Sequence, residues 1–170
     1  MSKTYDILQY LVNAYQEISG HSMTGDEMKA HKLMYYAQKT SIALTGKELF
    51  EEDFEGWIHG PVLPSLRGVF EFYIEDHHDE LNLTDAEKYI IENTIHSYGQ
   101  YATWSLRNKS HEEPAWIKSR KGLAPNDRGS YRITIEDIKK DAQNVRIYDY
   151  EYDMYVDEFE DADEDFTCAG

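Results

Sequence analysis

TGDEMKAHKLMYYAQKTSIALTG, residues 24–46, is apolar on two sides when wound into a helix. One stripe is Ala30, Leu33, Met34, Ala37, Ser41 and Leu44; the other is Met28, Tyr35 and Ile42. Both follow the spacing of about 3.6 residues that places side chains on one helix face. A helix apolar on two sides needs cover from two directions, so this one is expected to be central. Thr24 and Glu27 are spaced as in a capping box, where each side chain satisfies a free backbone N–H. Gly46 stands where a left-handed C-terminal cap belongs.

Upstream, Thr4 is a candidate cap for a first helix with Leu8, Leu11, Val12, Tyr15 and Ile18 on one face, ended by Gly20. Downstream, FEEDFEGWIHGPVLPSL, residues 50–66, reads as irregular, with a turn at Gly60-Pro61. Pro64 is placed as the first residue of a third helix burying Leu66, Val69, Phe70 and Tyr73. Thr84 to Glu87 is a second capping box, opening a helix that the stripe Ile91, Ile95, Tyr98, Ala102 and Leu106 carries to about Leu106. Ser110 to Glu113 is a third, with Trp116 and Ile117 in a short helix behind it, and Thr134 to Ala142 forms the last helix. The expected fold is mainly α, a compact bundle of about five to six helices over residues 1–144. An acidic, aromatic segment, 145–170, follows it.

In that segment the period changes. Arg146, Tyr148, Tyr150, Tyr152, Met154 and Val156 alternate with Asp149, Glu151, Asp153 and Asp157, the signature of an extended strand. Ten of the 33 Asp and Glu lie between Asp149 and Asp165, with no Lys or Arg among them. The rest of the chain carries 23 acids against all 17 Lys and Arg, within a net charge of -16. Phosphate contacts need clustered Lys and Arg, so this balance argues against direct nucleic-acid binding and for a basic protein partner, or a partner's site that normally holds phosphate. The chain has 170 residues, 41% hydrophobic and 14% aromatic, enough for a core. No run of about 20 apolar residues reads as a membrane span. The N-terminus does not read as a signal peptide. The single cysteine, Cys168, excludes an internal disulfide, and the cytoplasm is the expected compartment.

No catalytic constellation is legible. Among seven histidines, His77-His78-Asp79 is the densest cluster, but adjacent helical histidines point about 100° apart and seldom share a metal. Cys168 has no cationic neighbour to activate it, and no glycine-rich phosphate loop is present. No enzyme, metal or cofactor is expected. Trp57, beside the Gly60-Pro61 turn, and Trp116, behind Pro114, read as core; His111 reads as a cap or a partner contact.

Three sets of residues in order now carry a resemblance. Lys32, Leu33, Tyr35, Tyr36 and Ala37 lead into Gly46, Lys47, Leu49 and Phe50, then into Trp57, Gly60, Pro61, Val62 and Pro64. Ser110, His111, Glu112, Glu113, Pro114 and Trp116 follow, with Ser in place of a Thr and Ala115 inserted before the Trp. This pattern resembles the SocA-like antitoxins, the Panacea domain family, over about residues 5–143. The resemblance implies a small, mostly helical, non-enzymatic protein, encoded beside a toxin or in a prophage, that neutralises its toxin by direct binding. One family member also acts as an adaptor presenting its toxin to an AAA+ protease. The family motif residues would then be Tyr35, Tyr36, Trp57, Gly60, Pro61, Pro64, His111 and Trp116.

Three readings of the tail stand open. It docks on a partner, it packs on its own body, or it is disordered. The first makes Tyr148, Tyr150, Tyr152, Met154 and Tyr155, with Asp149, Glu151 and Asp153, the partner-binding residues. Three functions likewise stand open: an antitoxin, a proteolytic adaptor, and a phage protein that blocks a host defence enzyme by imitating nucleic acid.

Overall fold

The structure, a computed structural model, describes residues 2–68, 70 and 80–159. Val69, Tyr73, His77, His78, Cys168 and the acids from Glu160 to Asp165 lie outside the described residues. The fold is mainly α, with small sheets. The helices α1 (Lys3–Ser19), α2 (Glu27–Thr45) and α3 (Asp85–Tyr98) form its frame. Two shorter helices, α4 (Thr103–Ser110) and α5 (Pro114–Ser119), lead to α6 (Ile135–Ala142).

α2 is the central element: it packs on α1, α3, α4 and α6 and buries nearly every residue from Lys29 to Ile42. The two apolar stripes explain that burial. Its polar residues are used as struts. Gln38, fully buried, donates to Phe50 O at 2.8 Å and accepts from Leu49 N at 2.7 Å, tying down the chain that leaves the helix. Tyr35 packs edge-on against Phe54 with ring centroids 5.2 Å apart, and Tyr36 stacks on Tyr98 at 4.0 Å.

The helix ends obey local chemistry, with two corrections. Gly20 and Gly46 close α1 and α2 in the left-handed conformation, and Thr84 and Thr134 cap α3 and α6. Thr24 does not cap α2. Asp26 does, accepting from Lys29 N at 3.3 Å, while its other oxygen accepts the Thr103 hydroxyl. Asp, too, is a favoured cap, and this one also ties α2 to α4. Similarly, Ser2 occupies the cap position of α1, and Thr4 is buried within the first turn. The Ser110–Glu113 box does not form either: Ser110 Oγ donates back to Arg107 O at 2.6 Å, and the α5 N-terminus is satisfied from outside, by Asp141 accepting from Ala115 N at 2.8 Å.

The helix expected to reach Leu106 stops at Tyr98. The chain turns through residues 99–102 and restarts as α4. The turn presents the Tyr101 carbonyl to Lys29 Nζ at 2.8 Å, which gives a buried ammonium an acceptor that a continuous helix would keep for itself. Leu106 stays in the core on the new helix.

The segment read as irregular contains a sheet. β1 (Phe54–Trp57) pairs antiparallel with β2 (Gly60–Val62) across the two-residue turn Ile58-His59, and β3 (Arg132–Ile133) flanks β1. Pro64 opens a 3-10 turn, Pro64–Leu66, and Leu66 and Phe70 are buried. The tail is not one extended strand. β4 (Tyr148–Asp149) and β5 (Met154–Tyr155) form an antiparallel hairpin, with Tyr148 opposite Tyr155.

Candidate functional site

Two neighbourhoods gather the residues singled out in the sequence. The first lies where α2 meets the β1–β2 hairpin. Lys32 is 1% exposed and donates to Pro61 O at 3.0 Å. Gly60 has φ 106, and a Cβ there would come within 2.6 Å of Lys32 Cε. Glycine therefore serves twice, for the turn and for the lysine's passage. Trp116 Nε1 donates to Trp57 O at 2.9 Å, and His111 stacks on the Trp116 ring at 4.0 Å. Motif residues from α2, the hairpin and α5 thus form one interlocked unit.

Trp116, at 9% exposure, is core as expected. Trp57 is not. It is half-buried, with Arg67 over its ring at 5.5 Å, and it lines a cavity of about 770 Å³. The turn places its backbone in the sheet and its indole at the cavity wall. Lys32, Val62, Arg128 and Tyr131 are also on that wall.

The electrostatics of this neighbourhood are cationic. Burial, aided by Arg107, pushes Lys32 down to about 7. Burial and then Arg107 and Lys32 push His111 down to about 4. His59 is lowered by burial, Arg107 and Lys32. Burial holds His31 at about 4 against the opposing pull of Glu27. In the sequence Lys32 stands within the motif without a site role, and Arg67, Arg128 and Tyr131 carry no mark of one. A lysine set between apolar positions of a central helix was the available signal.

The second neighbourhood is the C-terminal hairpin on α3. Asn93 Nδ2 donates to Tyr148 O at 2.9 Å, and its Oδ1 accepts from Tyr150 N at 3.3 Å. Tyr89 donates its hydroxyl to Asp149, which is 6% exposed. The other Asp149 oxygen accepts from Glu151 N at 2.8 Å and Tyr152 N at 2.7 Å, bending the chain back. Burial alone would raise the Asp149 carboxyl. The Tyr89 hydroxyl and those two N–H groups outweigh it and hold it below the usual range.

The predicted alternation therefore places its residues on several faces. Tyr148 meets Tyr155 edge-on at 5.1 Å, and Arg146 lies over Tyr155 at 3.9 Å while pairing with Asp157 at 2.8 Å. Met154 and Tyr155 are partly buried. Tyr150, stacked near His96 at 5.7 Å, is 43% exposed and Tyr152 is 66% exposed. Glu151 and Asp153 are exposed beside them, and Asp153 takes φ 58 at the end of the turn.

Among the described residues of this helical scaffold, no group of three or more His, Cys, Asp or Glu side chains could hold a metal ion. The model of the antitoxin SocA-like, Panacea domain matches residues 30–117, from α2 through α5 and just over half of the chain. The chain belongs to this antitoxin family. No curated protein and no solved structure matches it. The matched span falls within the residues 5–143 that carry the resemblance and excludes the C-terminal hairpin. Among the described residues, no helix is long and apolar enough to cross a membrane.

Proposed function

We propose that this protein is the antitoxin of a toxin–antitoxin pair, neutralising a cognate protein toxin in the cytoplasm by direct binding and without catalysis. Its place in an antitoxin family carries the reading. The hairpin tip, Tyr150 to Asp153, is the recognition element. It presents two exposed tyrosines between acids, the composition that suits a basic, ring-accepting surface.

The anchoring of the hairpin supports this role. Asn93 and Asp149 fix the backbone on both sides of the tip, so little conformational freedom remains to be lost on binding. Tyrosine then offers large contact area with few torsions to freeze. The acids steer the encounter, and the rings set the lifetime.

Co-expression with the product of the neighbouring gene, followed by affinity capture of a tagged copy, tests the reading. A stoichiometric complex that survives size-exclusion chromatography is the expected result. Two proteins that elute apart at micromolar concentration, with no effect of one on the other's toxicity, would overturn it.

A further inference from the structure

We propose that the cavity between α2, the β1–β2 hairpin and the 123–131 segment is a binding site for a small molecule carrying an anionic group on a flat ring. Its volume, about 770 Å³, falls within the range of about 300–1,000 Å³ common for small-molecule sites. The proposal does not rest on the antitoxin reading, because among the described residues none of the C-terminal hairpin lines the cavity.

Charge is the first argument. The chain holds 33 acids and 17 Lys and Arg, yet Lys32, Arg67 and Arg128 line this cavity and, among the described residues, no Asp or Glu does. An acid meets this set of cations at one edge. Glu27 Oε2 meets Arg67 at 3.3 Å, and its Oε1 meets His31 at 3.2 Å, so this acid is already engaged. Among the described residues Lys32 has no carboxylate partner. Its ammonium offers three donors, and among the described residues it makes one hydrogen bond, to Pro61 O. A fully buried cation with donors to spare at a cavity wall is matched by an anion inside the cavity.

The groups behind Lys32 point the same way. Arg107 faces it from α4, and His111 from the α4–α5 junction. Arg107 Nε and His111 Nε2 are buried without a hydrogen-bond partner among the described residues. His31 and His59 are on the cavity wall, whereas Arg107 and His111 lie behind it. The flat part is argued from Trp57 on the inner wall and Tyr131, 62% exposed, on the outer one, since indole and phenol faces take up rings well.

Isothermal titration calorimetry on the full chain tests this with four probes. Adenosine 5′-monophosphate and indole-3-acetate carry the two common anionic groups on rings. Adenosine lacks the anion, and inorganic phosphate lacks the ring. At least one ring-bearing anion should bind saturably with one site per chain. Whichever binds identifies the group as phosphate or carboxylate. Adenosine and inorganic phosphate should each bind at least about tenfold more weakly.

Lys32→Met should weaken the binding probe at least about tenfold, and Arg128→Gln, on the exposed rim, severalfold. Arg128→Gln keeps the test open if Lys32→Met does not fold. Affinity should fall as pH rises from about 6.5 to about 8.5, because Lys32 loses its proton there. His31, His59 and His111 are all held below their ordinary value of about 6.5, and Arg107, Arg67 and Glu27 are the other charged groups around Lys32. Failure of both ring-bearing anions to bind saturably would overturn the proposal. So would binding that neither substitution weakens.

Discussion

Tyr89 on α3 donates its hydroxyl hydrogen to Asp149 of the C-terminal hairpin, an acid that is 6% exposed in a segment otherwise rich in surface charge. Within one short stretch, then, neighbouring acids have different tasks. Asp149 anchors the hairpin, and Glu151 and Asp153 remain on its exposed tip.

Asn93 tests the anchor. It is 4% exposed and bonds the hairpin backbone on both sides. Asn93→Ala should lower stability by about 1–3 kcal/mol, since two backbone groups lose a partner. Urea denaturation measures the loss, and limited proteolysis should cut first within residues 146–158. An unchanged midpoint and an unchanged cleavage pattern would show that the hairpin is held by other contacts. Because Asp149 is held below its usual range, its share of the anchorage is complete above the ordinary Asp value of about 3.9 and disappears as pH falls through the lower folded value.

The two tryptophans should respond differently. Trp116→Ala removes a buried indole with a hydrogen bond to Trp57 O, and about 3–5 kcal/mol of stability should go with it. Trp57 is half-buried at the cavity wall, so Trp57→Ala should take away less, about 1–2 kcal/mol. Paired denaturation curves decide it. Equal losses would place both indoles in the core.

Lys32 gives stability a pH dependence of known sign. Its folded value is about 7 and its ordinary one about 10.4, so between them the unfolded chain holds a proton that the folded chain lacks. Stability therefore rises with pH across that window, by up to about 1.4 kcal/mol per unit. Denaturation at about pH 7 and about pH 9 should show the rise in the natural protein and its loss in Lys32→Met. The raised hydroxyls of Tyr35, Tyr36 and Tyr89 reverse the trend only above the ordinary Tyr value of about 10. A natural protein with no rise between those two pH values would contradict the buried-ammonium account.

Asp26 joins the start of α2 to α4, through Lys29 N and the Thr103 hydroxyl. Asp26→Ala should lower the unfolding free energy by about 1–2 kcal/mol. Thr84→Ala, which removes a cap with one N–H contact, should cost about 1 kcal/mol or less. The order of the two thermal midpoints checks the assignment.

Much of the scaffold was legible. The two-sided pattern of α2 led directly to its central place, and the glycines at 20 and 46 end helices as left-handed caps do. The break after Tyr98 was hidden because Ala102 and Leu106 continue the apolar spacing, while the reason to turn lies far away in sequence, at Lys29. The hairpin was hidden differently. Tyr and acid alternate equally well along one strand or along both arms of a folded one, and the turn is made by Asp149 and Asp153 with no Gly or Pro to mark it. The cavity needed tertiary structure, since Lys32, Trp57 and Arg128 converge from separate parts of the chain.

The central claim is that this chain neutralises a toxin through the tip of its C-terminal hairpin. The direct measurement is growth of cells expressing the neighbouring gene from an inducible promoter, together with either the natural protein or the double variant Tyr150→Ala, Tyr152→Ala. Tyr152 is 66% exposed and Tyr150, though stacked near His96, is 43% exposed, so circular dichroism should find the variant folded with a melting midpoint lowered only slightly. The account predicts that the natural protein restores growth and that the variant does not, with complex dissociation at least about tenfold faster. Full rescue by the folded variant would contradict the role of the hairpin tip, and no rescue by the natural protein would contradict the antitoxin reading itself.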